Sequence, residues 1–446
     1  MNLECDVTEE NSLISKMKRY RLWIFLSISA TYLVSYFHRA APAVVGPEIM
    51  KELSLEPAAL GLIGSMYFWA YAATALPAGV LADTWGARKT ITAFVFLAGI
   101  GGVVFALAPG APVMALGRFI IGLGVGVVYV AAMRILADWY RPNEMATYSG
   151  VLLAVGNIGA IISTMPLVLL MENIGWRNSF ILVAGLTLLA SAISYSVIRN
   201  KPHELGLSIP SEGIGASLTT TDDKVSLGEA LRTVFGNRRF YLMGLLLFSY
   251  YGTFMGVGSL WAGPYLQDIY GLSKQAAGSV LMMFPLGMVI GCPLAGYMSD
   301  KVFKSRKNVL LWGCISHLAC YIPLIFFPAE MPEKALYILF FLYGLTGGAF
   351  VSCFAGVKEI YSARFAGTAV GALNIFLFSG GAFYQYAMGA VINIYPVVSS
   401  GVYSPAAYRT AFMIPACGLL LGIIAFSFFR EERTVLSEAG SYRVVS

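Results

Sequence analysis

The chain has 446 residues, 58% of them hydrophobic and 12% charged, with a formal net charge of +6, and its mean hydropathy is +0.72. These values exclude an ordinary soluble domain. A membrane-spanning helix needs about 20 mostly apolar residues, and twelve stretches qualify: 22–47, 58–82, 91–109, 113–137, 146–171 and 179–198, then 240–263, 276–298, 309–328, 335–357, 367–395 and 410–429. The short alternating segments of a transmembrane barrel are absent. The predicted fold class is an all-α polytopic membrane protein.

Basic residues set the orientation. With the N-terminus in the cytosol, 23 of the 30 Lys and Arg fall on inner segments and five on outer ones, while Arg39 and Arg118 lie inside spans. Both termini are therefore expected in the cytosol. The same bias accounts for the net charge without a nucleic-acid partner. The expected divisions are a tail 1–21, a six-span bundle 22–198, a cytosolic loop 199–239, a second bundle 240–429 and a tail 430–446. Residues 1–21 lack a cleavable signal pattern, so the first span is read as retained. The six cysteines show no zinc-ligand or disulfide spacing, and neither metal nor cofactor is expected.

In chain order, a basic anchor (Lys16, Lys18, Arg19, Arg21) precedes the first span. That span is polar: Tyr32, Tyr36 and Arg39 share one face, and Thr31, Ser35 and His38 share the next. A charge deep in a span faces a water-filled cavity or a partner, or else snorkels to the headgroups; the cavity is the expectation for Arg39. His38 is a candidate proton carrier, or a neutral helix–helix hydrogen-bonding group. Tyr67 and Tyr71 of the second span share a face that suits either a substrate path or aromatic packing. The loop Gly79-Val-Leu-Ala-Asp83-Thr-Trp-Gly86-Ala-Arg88-Lys89 follows. The fourth span opens Arg118-Phe-Ile-Ile-Gly122, with Arg118 either buried or near the outer surface. It ends in Arg134, Asp138, Trp139, Arg141 and Glu144, which are expected to join Asp83 and Arg88 in an inner charge cluster. Such a cluster serves as a gate latch or as a weak exposed ion-pair set. Asn157 is polar at mid-span and contacts either a ligand or a neighbouring helix.

Composition shifts sharply over 200–239 to Gly, Ser, Thr and Asp. Within it, Ser226 and Glu229 form a capping-box pattern, and Leu227, Leu231 and Val234 mark a short interfacial helix. The second half repeats the plan. Tyr251, Asn374 and Gln385 are its candidate pocket residues, the latter two lying three turns apart on one helix face. The loop motif returns as Gly296-Tyr-Met-Ser-Asp300-Lys301-Val-Phe-Lys304-Ser-Arg306-Lys307. Asp300 lies 217 residues after Asp83, close to half the chain.

The paired loops, the Arg-x-x-x-Gly pattern of the fourth span, the twelve spans and the long central loop together resemble the major facilitator superfamily over essentially the whole chain. That resemblance implies two six-helix halves related by an axis along the membrane normal, with a midplane site and alternating access. It also implies gating roles for Asp83, Arg88, Asp300, Arg306, Arg118 and Arg134. Thr84 departs from the motif, where a basic residue is usual. Within the superfamily the chain is most similar to the organophosphate:phosphate antiporters and the anion:cation symporters. Arg39 matches their first-helix arginine, the Gly296 loop matches the antiporters, and Arg134 before Trp139 matches the symporters. Met255 stands where the antiporters place a second arginine, and Gly156 where they place a histidine. Val125 and His38 replace the acidic positions of the symporters. One arginine with tyrosines and amides suits a monoanion, or a hydroxylated or aromatic carboxylate, better than a phosphate dianion.

The expected function is secondary transport of a small organic anion, coupled to protons or to a counter-substrate. Arg39, Tyr36, Tyr67, Tyr71, Asn157, Tyr251, Asn374 and Gln385 would bind it, and His38 would carry the proton. The alternatives are an exporter of amphipathic compounds, disfavoured because Gly156-Asn-Ile-Gly159 lacks proline, and a membrane sensor on a carrier fold. No nucleophile–base pair, phosphate loop or metal cluster suggests an enzyme. A bacterial-type inner (plasma) membrane location follows, and a monomer suffices.

Overall fold

The computed structural model describes residues 2–207, 226–399, 401–429, 431, 433–436 and 442–445. The chain forms two compact units, residues 1–55 with 62–224, and residues 56–61 with 225–446. Residues 208–225 of the expected central loop lie outside the described residues.

The helices of the first part of the chain are α1 (Asn2–Ala40), α2 (Pro42–Leu53), α3 (Pro57–Thr74), α4 (Pro77–Leu81), α5 (Ala87–Ala106), α6 (Ala111–Gly126), α7 (Val128–Trp139), α8 (Pro142–Ile162) and α9 (Met165–Val197). Prolines open α2, α3, α4 and α8, where a missing N–H costs no intrahelical bond. Between α4 and α5 the loop motif does not open out. Ala82–Gly86 is a π-helical turn, and Gly86 reverses the chain at φ 92°, a conformation that suits glycine. Ile24, Phe25, Ile28, Ile91, Ile135, Trp139, Leu152 and Ile198 pack as one buried core at this end of the unit.

The second unit contains α10 (Leu227–Phe235), α11 (Arg238–Gly256), α12 (Ala262–Tyr270), α13 (Lys274–Tyr297), α14 (Arg306–Ala319), α15 (Tyr321–Phe326), α16 (Glu333–Gly347), α17 (Val351–Ile360), α18 (Ala363–Ile392) and α19 (Pro405–Ser427). α10 is the expected short helix, and the Ser226 side chain accepts from Glu229 N at its start. Two small antiparallel hairpins pair β1 (Val397–Ser399) with β2 (Val402–Tyr403), and β3 (Arg433–Leu436) with β4 (Tyr442–Val445).

Ten helical stretches among the described residues are long and apolar enough to cross a membrane. The first two of the twelve expected spans are helical but fall outside that set. α1 carries its polar face, and α3 intersperses Ser65, Tyr67, Trp69 and Tyr71 among its apolar residues.

Candidate functional site

Six helices of the first unit, α1, α3, α6, α7, α8 and α9, build the site. On α1, the i, i+4, i+7 spacing places Tyr32, Tyr36 and Arg39 on one face. The Tyr32 hydroxyl donates to the Tyr36 hydroxyl at 3.2 Å, and the Arg39 guanidinium lies 4.4 Å from the centre of the Tyr36 ring. From α3, Tyr71 offers a second ring at 5.3 Å. Arg39 is 7% exposed, and two ring faces partly replace the water that its charge has lost. Tyr67, one turn before Tyr71, donates through its hydroxyl to the Ser35 carbonyl at 3.3 Å. Its ring lies 6.0 Å from that of Tyr71.

Arg118 of α6 is buried, 1% exposed. It lies 4.6 Å over the Tyr67 ring, and its Nη1 donates to the His38 carbonyl at 2.6 Å. Among the described residues no carboxylate pairs with it, and its Nε and Nη2 make no hydrogen bond. The sequence left Arg118 either buried or near the outer surface; it is buried, against the backbone of α1.

His38 is engaged on α9. Its Nε2 meets Thr187 Oγ1 at 3.3 Å, and Thr187 spends its own proton on the Val183 carbonyl, so Nε2–H is the donor. This is the helix–helix bond weighed above. Asn157 on α8 donates to Leu153 O of its own helix at 3.0 Å. Next to it, a side chain at Gly156 would meet the Tyr32 and Tyr36 rings within 3.0 Å, so these rings fill the space at position 156. Tyr129 of α7 stands 5.7 Å from Tyr32. It extends the aromatic group and was not singled out, because it sits in an unbroken apolar run.

In the second unit, Tyr251 is enclosed by the rings of Phe350 at 4.8 Å, Phe254 at 5.9 Å and Phe378 at 6.2 Å. Gln385 is buried, its side-chain amide donating to Ser259 Oγ at 2.9 Å, and its backbone carbonyl accepts from the Trp261 indole at 2.9 Å. Asn374 is half-buried. A polar cluster that sequence reasoning passed over surrounds His317. Its Nδ1 meets Thr346 Oγ1 at 3.1 Å, and Tyr321 and Tyr343 share a 2.8 Å hydroxyl contact. The signal was Thr346 inside an apolar run, whose hydroxyl meets the imidazole.

The charged loops differ between units. Asp83 pairs with Arg134 at 3.6 Å, and Arg134 with Asp138 at 3.3 Å. Arg88 turns instead to the Tyr195 carbonyl, at 3.0 Å from Nε and 2.7 Å from Nη2. Glu144 pairs with Arg21. In the second unit Arg306 binds Asp300 directly, and Glu359 at 3.0 Å. A small pocket of about 50 Å³ beside it is lined by Arg239, Arg306, Lys307, Glu359 and Glu431. Arg306 donates to Glu359 through its side chain and to Glu431 through its backbone N–H, and Lys307 donates to Ser427 O, so the pocket belongs to the loop network.

Ten apolar helices of membrane length, together with buried guanidinium groups of the kind that mark functional sites in membrane helices, point to a polytopic membrane transporter. The profile of the Major Facilitator Superfamily matches residues 28–384; the chain belongs to that superfamily. It is 26% identical over 422 residues to a protein named "Probable hexose phosphate transport protein" of Chlamydia trachomatis serovar D, covering 87% of this chain and 89% of that one. It is 24% identical over 426 residues to the "Probable sulfoacetate transporter SauU" of Cupriavidus necator, covering 92% and 95%. Among solved structures, a bacterial homolog of the human lysosomal transporter Spinster, inward-facing and unoccupied, superposes with a TM-score of 0.71 at 19% identity, covering 92% of this chain and 96% of that one. That likeness concerns the fold.

Proposed function

We propose that the protein carries a small organic anion by alternating access, and that Arg39 holds the anionic group. The observation that carries this reading is a guanidinium, 7% exposed, lying 4.4 Å from the centre of the Tyr36 ring and 5.3 Å from that of Tyr71. A guanidinium held in this way presents N–H donors suited to a carboxylate or similar oxyanion. The substrates named for the two relatives are both anions. Tyr67 shapes this site and Asn157 has a secondary place beside it; Tyr251, Asn374 and Gln385 are the candidate solute contacts of the second unit.

Coupling to protons or to a counter-anion belongs to the same reading. His38→Gln tests the proton branch: an unchanged pH profile of uptake routes coupling away from His38. Asp83, Arg88, Arg134, Asp300 and Arg306 act as gate residues at the loop ends, with the termini cytosolic in an inner membrane. The main test is uptake into proteoliposomes of labelled D-glucuronate, sulfoacetate and glucose 6-phosphate by the wild type and by Arg39→Gln. A charge-assisted hydrogen bond contributes about 1.5–3 kcal/mol, so the substitution raises KM about 10- to 100-fold. Full activity in Arg39→Gln removes the arginine from this role.

A further inference from the structure

We propose that Arg118 is a positioning residue for the anion site: it supplies the hydrogen bond that Pro42 withholds from the His38 carbonyl, and so fixes the turn of α1 that carries Arg39. α1 runs into α2 with helical geometry at Ala41. Ala41 N donates to Phe37 O at 3.0 Å, and Val45 N to Ala41 O at 3.1 Å. Between them stands Pro42, which has no N–H and whose ring crowds the carbonyl four residues back. That carbonyl belongs to His38. In a membrane interior no water stands ready to satisfy it. Arg118 Nη1 does so, at 2.6 Å.

The route by which α6 reaches α1 explains the Arg-x-x-x-Gly spacing. Gly122 is one turn after Arg118, on the same face. A Cβ at Gly122 would lie 2.3 Å from the Tyr67 carbonyl oxygen, so the glycine lets α6 sit against the α3 backbone. From there the arginine extends over the Tyr67 ring, 4.6 Å from its centre. Tyr67 itself bonds Ser35 O. Arg118 and Tyr67 thus grip two carbonyls of α1 three residues apart, on the turn that ends at Arg39. Arg118 need not touch the solute to govern the site. The absence of a carboxylate partner among the described residues also separates it from the loop ion pairs.

This inference rests on the reading of Arg39 as the anion ligand, and the test separates the two. Purified full-length wild type, Arg118→Gln, Arg118→Lys, Pro42→Ala and the double variant Pro42→Ala/Arg118→Gln are compared by amide hydrogen exchange over residues 35–46 and by uptake of the three labelled anions named above. Alanine at 42 restores an N–H aimed at the His38 carbonyl. Arg118→Gln is expected to speed exchange in 35–46 and to raise KM about tenfold or more, as loss of a charged donor to a buried acceptor implies. Arg118→Lys, which keeps one charged donor, falls between. The double variant returns to within about threefold of Pro42→Ala alone, because the orphaned carbonyl again has a donor. A double variant as impaired as Arg118→Gln, or exchange in Arg118→Gln equal to wild type, overturns the proposal. Faster exchange in Arg118→Gln alongside unchanged uptake in Arg39→Gln sinks the anion reading and leaves the backbone clamp standing.

Discussion

The aromatic clamp on Arg39 makes a graded prediction. A cation over a ring face contributes about 0.5–1 kcal/mol at exposed sites and about 2 kcal/mol when desolvated. Arg39 is 7% exposed, so the upper figure applies to the nearer ring, Tyr36 at 4.4 Å. Tyr36→Leu also removes the acceptor of the Tyr32 hydroxyl, about 1 kcal/mol more. The total of about 3 kcal/mol bounds the effect at about 100-fold in KM, because an unclamped guanidinium must be ordered again each time the anion binds. Tyr71 is farther, at 5.3 Å, and Tyr71→Leu is expected to raise KM about fivefold, a loss of about 1 kcal/mol. Initial uptake rates in proteoliposomes, fitted for KM and maximal rate separately, decide the matter. Equal KM in wild type and Tyr36→Leu, or a larger effect from Tyr71→Leu than from Tyr36→Leu, would refute the clamp.

Gly122→Ala places a methyl group 2.3 Å from the Tyr67 carbonyl and should cost about 1–3 kcal/mol of packing strain, read as a lower thermal unfolding midpoint in detergent; an unchanged midpoint contradicts the close contact of α6 with α3. At Glu52, the Trp176 indole N–H first, and then Arg177, hold the carboxyl below its ordinary value of 4.5. Its contribution to stability is therefore present above that value and lost as pH falls through the lowered folded one. With the side chain 44% exposed the effect stays within about 1 kcal/mol, so the midpoint gap between wild type and Glu52→Gln is small at neutral pH and closes in acid; a gap that widens in acid reverses the sign. Glu431 accepts from Arg306 N at 2.7 Å at the start of α14; Glu431→Ala should cost about 0.5–2 kcal/mol, and Glu431→Gln, which keeps an acceptor, less. Equal midpoints for the two variants and wild type would remove the cap.

What could be read from the residues was mainly what periodicity carries. The apolar runs located the membrane helices, and the spacing of Tyr32, Tyr36 and Arg39 anticipated their shared face. Tyr67 and Tyr71 were recognised as a pair, and both reach the α1 site. Contacts between distant segments were less legible. Pro42 and Arg118 are both plain in the sequence, but the bond between Arg118 and the His38 carbonyl depends on how α6 crosses α3. His38 sits beside Arg39 in the chain, yet one residue is about 100° of helix, enough to turn it toward Thr187. The π-turn in the first loop has no local signature that separates it from an open loop. Glu431 lies past the last apolar run, where composition alone suggested a plain tail.

The two loop motifs show what the repeated halves share and where they part. Each holds a π-helical turn, Ala82–Gly86 and Met298–Val302. Each then bends through a left-handed residue two positions before an arginine: Gly86 at φ 92° before Arg88, and Lys304 at φ 48° before Arg306. Each arginine N–H is capped by a side chain lying beyond the last helix of its half, Asn200 at 2.9 Å and Glu431 at 2.7 Å. The ion pairs do not follow suit. Five positions separate Asp83 from Arg88 and six separate Asp300 from Arg306, and only the longer interval lets the arginine fold back onto its own aspartate. In the first copy Asp83 is left to Arg134 of α7. The shared part is therefore backbone: a turn, a corner and a helix start with its donors satisfied. The charges attached to it are wired differently in each half. A neutral amide caps one loop and a carboxylate the other, and a helix N-terminus favours the carboxylate. The second loop thus has the stronger cap of the two, and the first has the longer ion pair, at 3.6 Å, with a neutral cap.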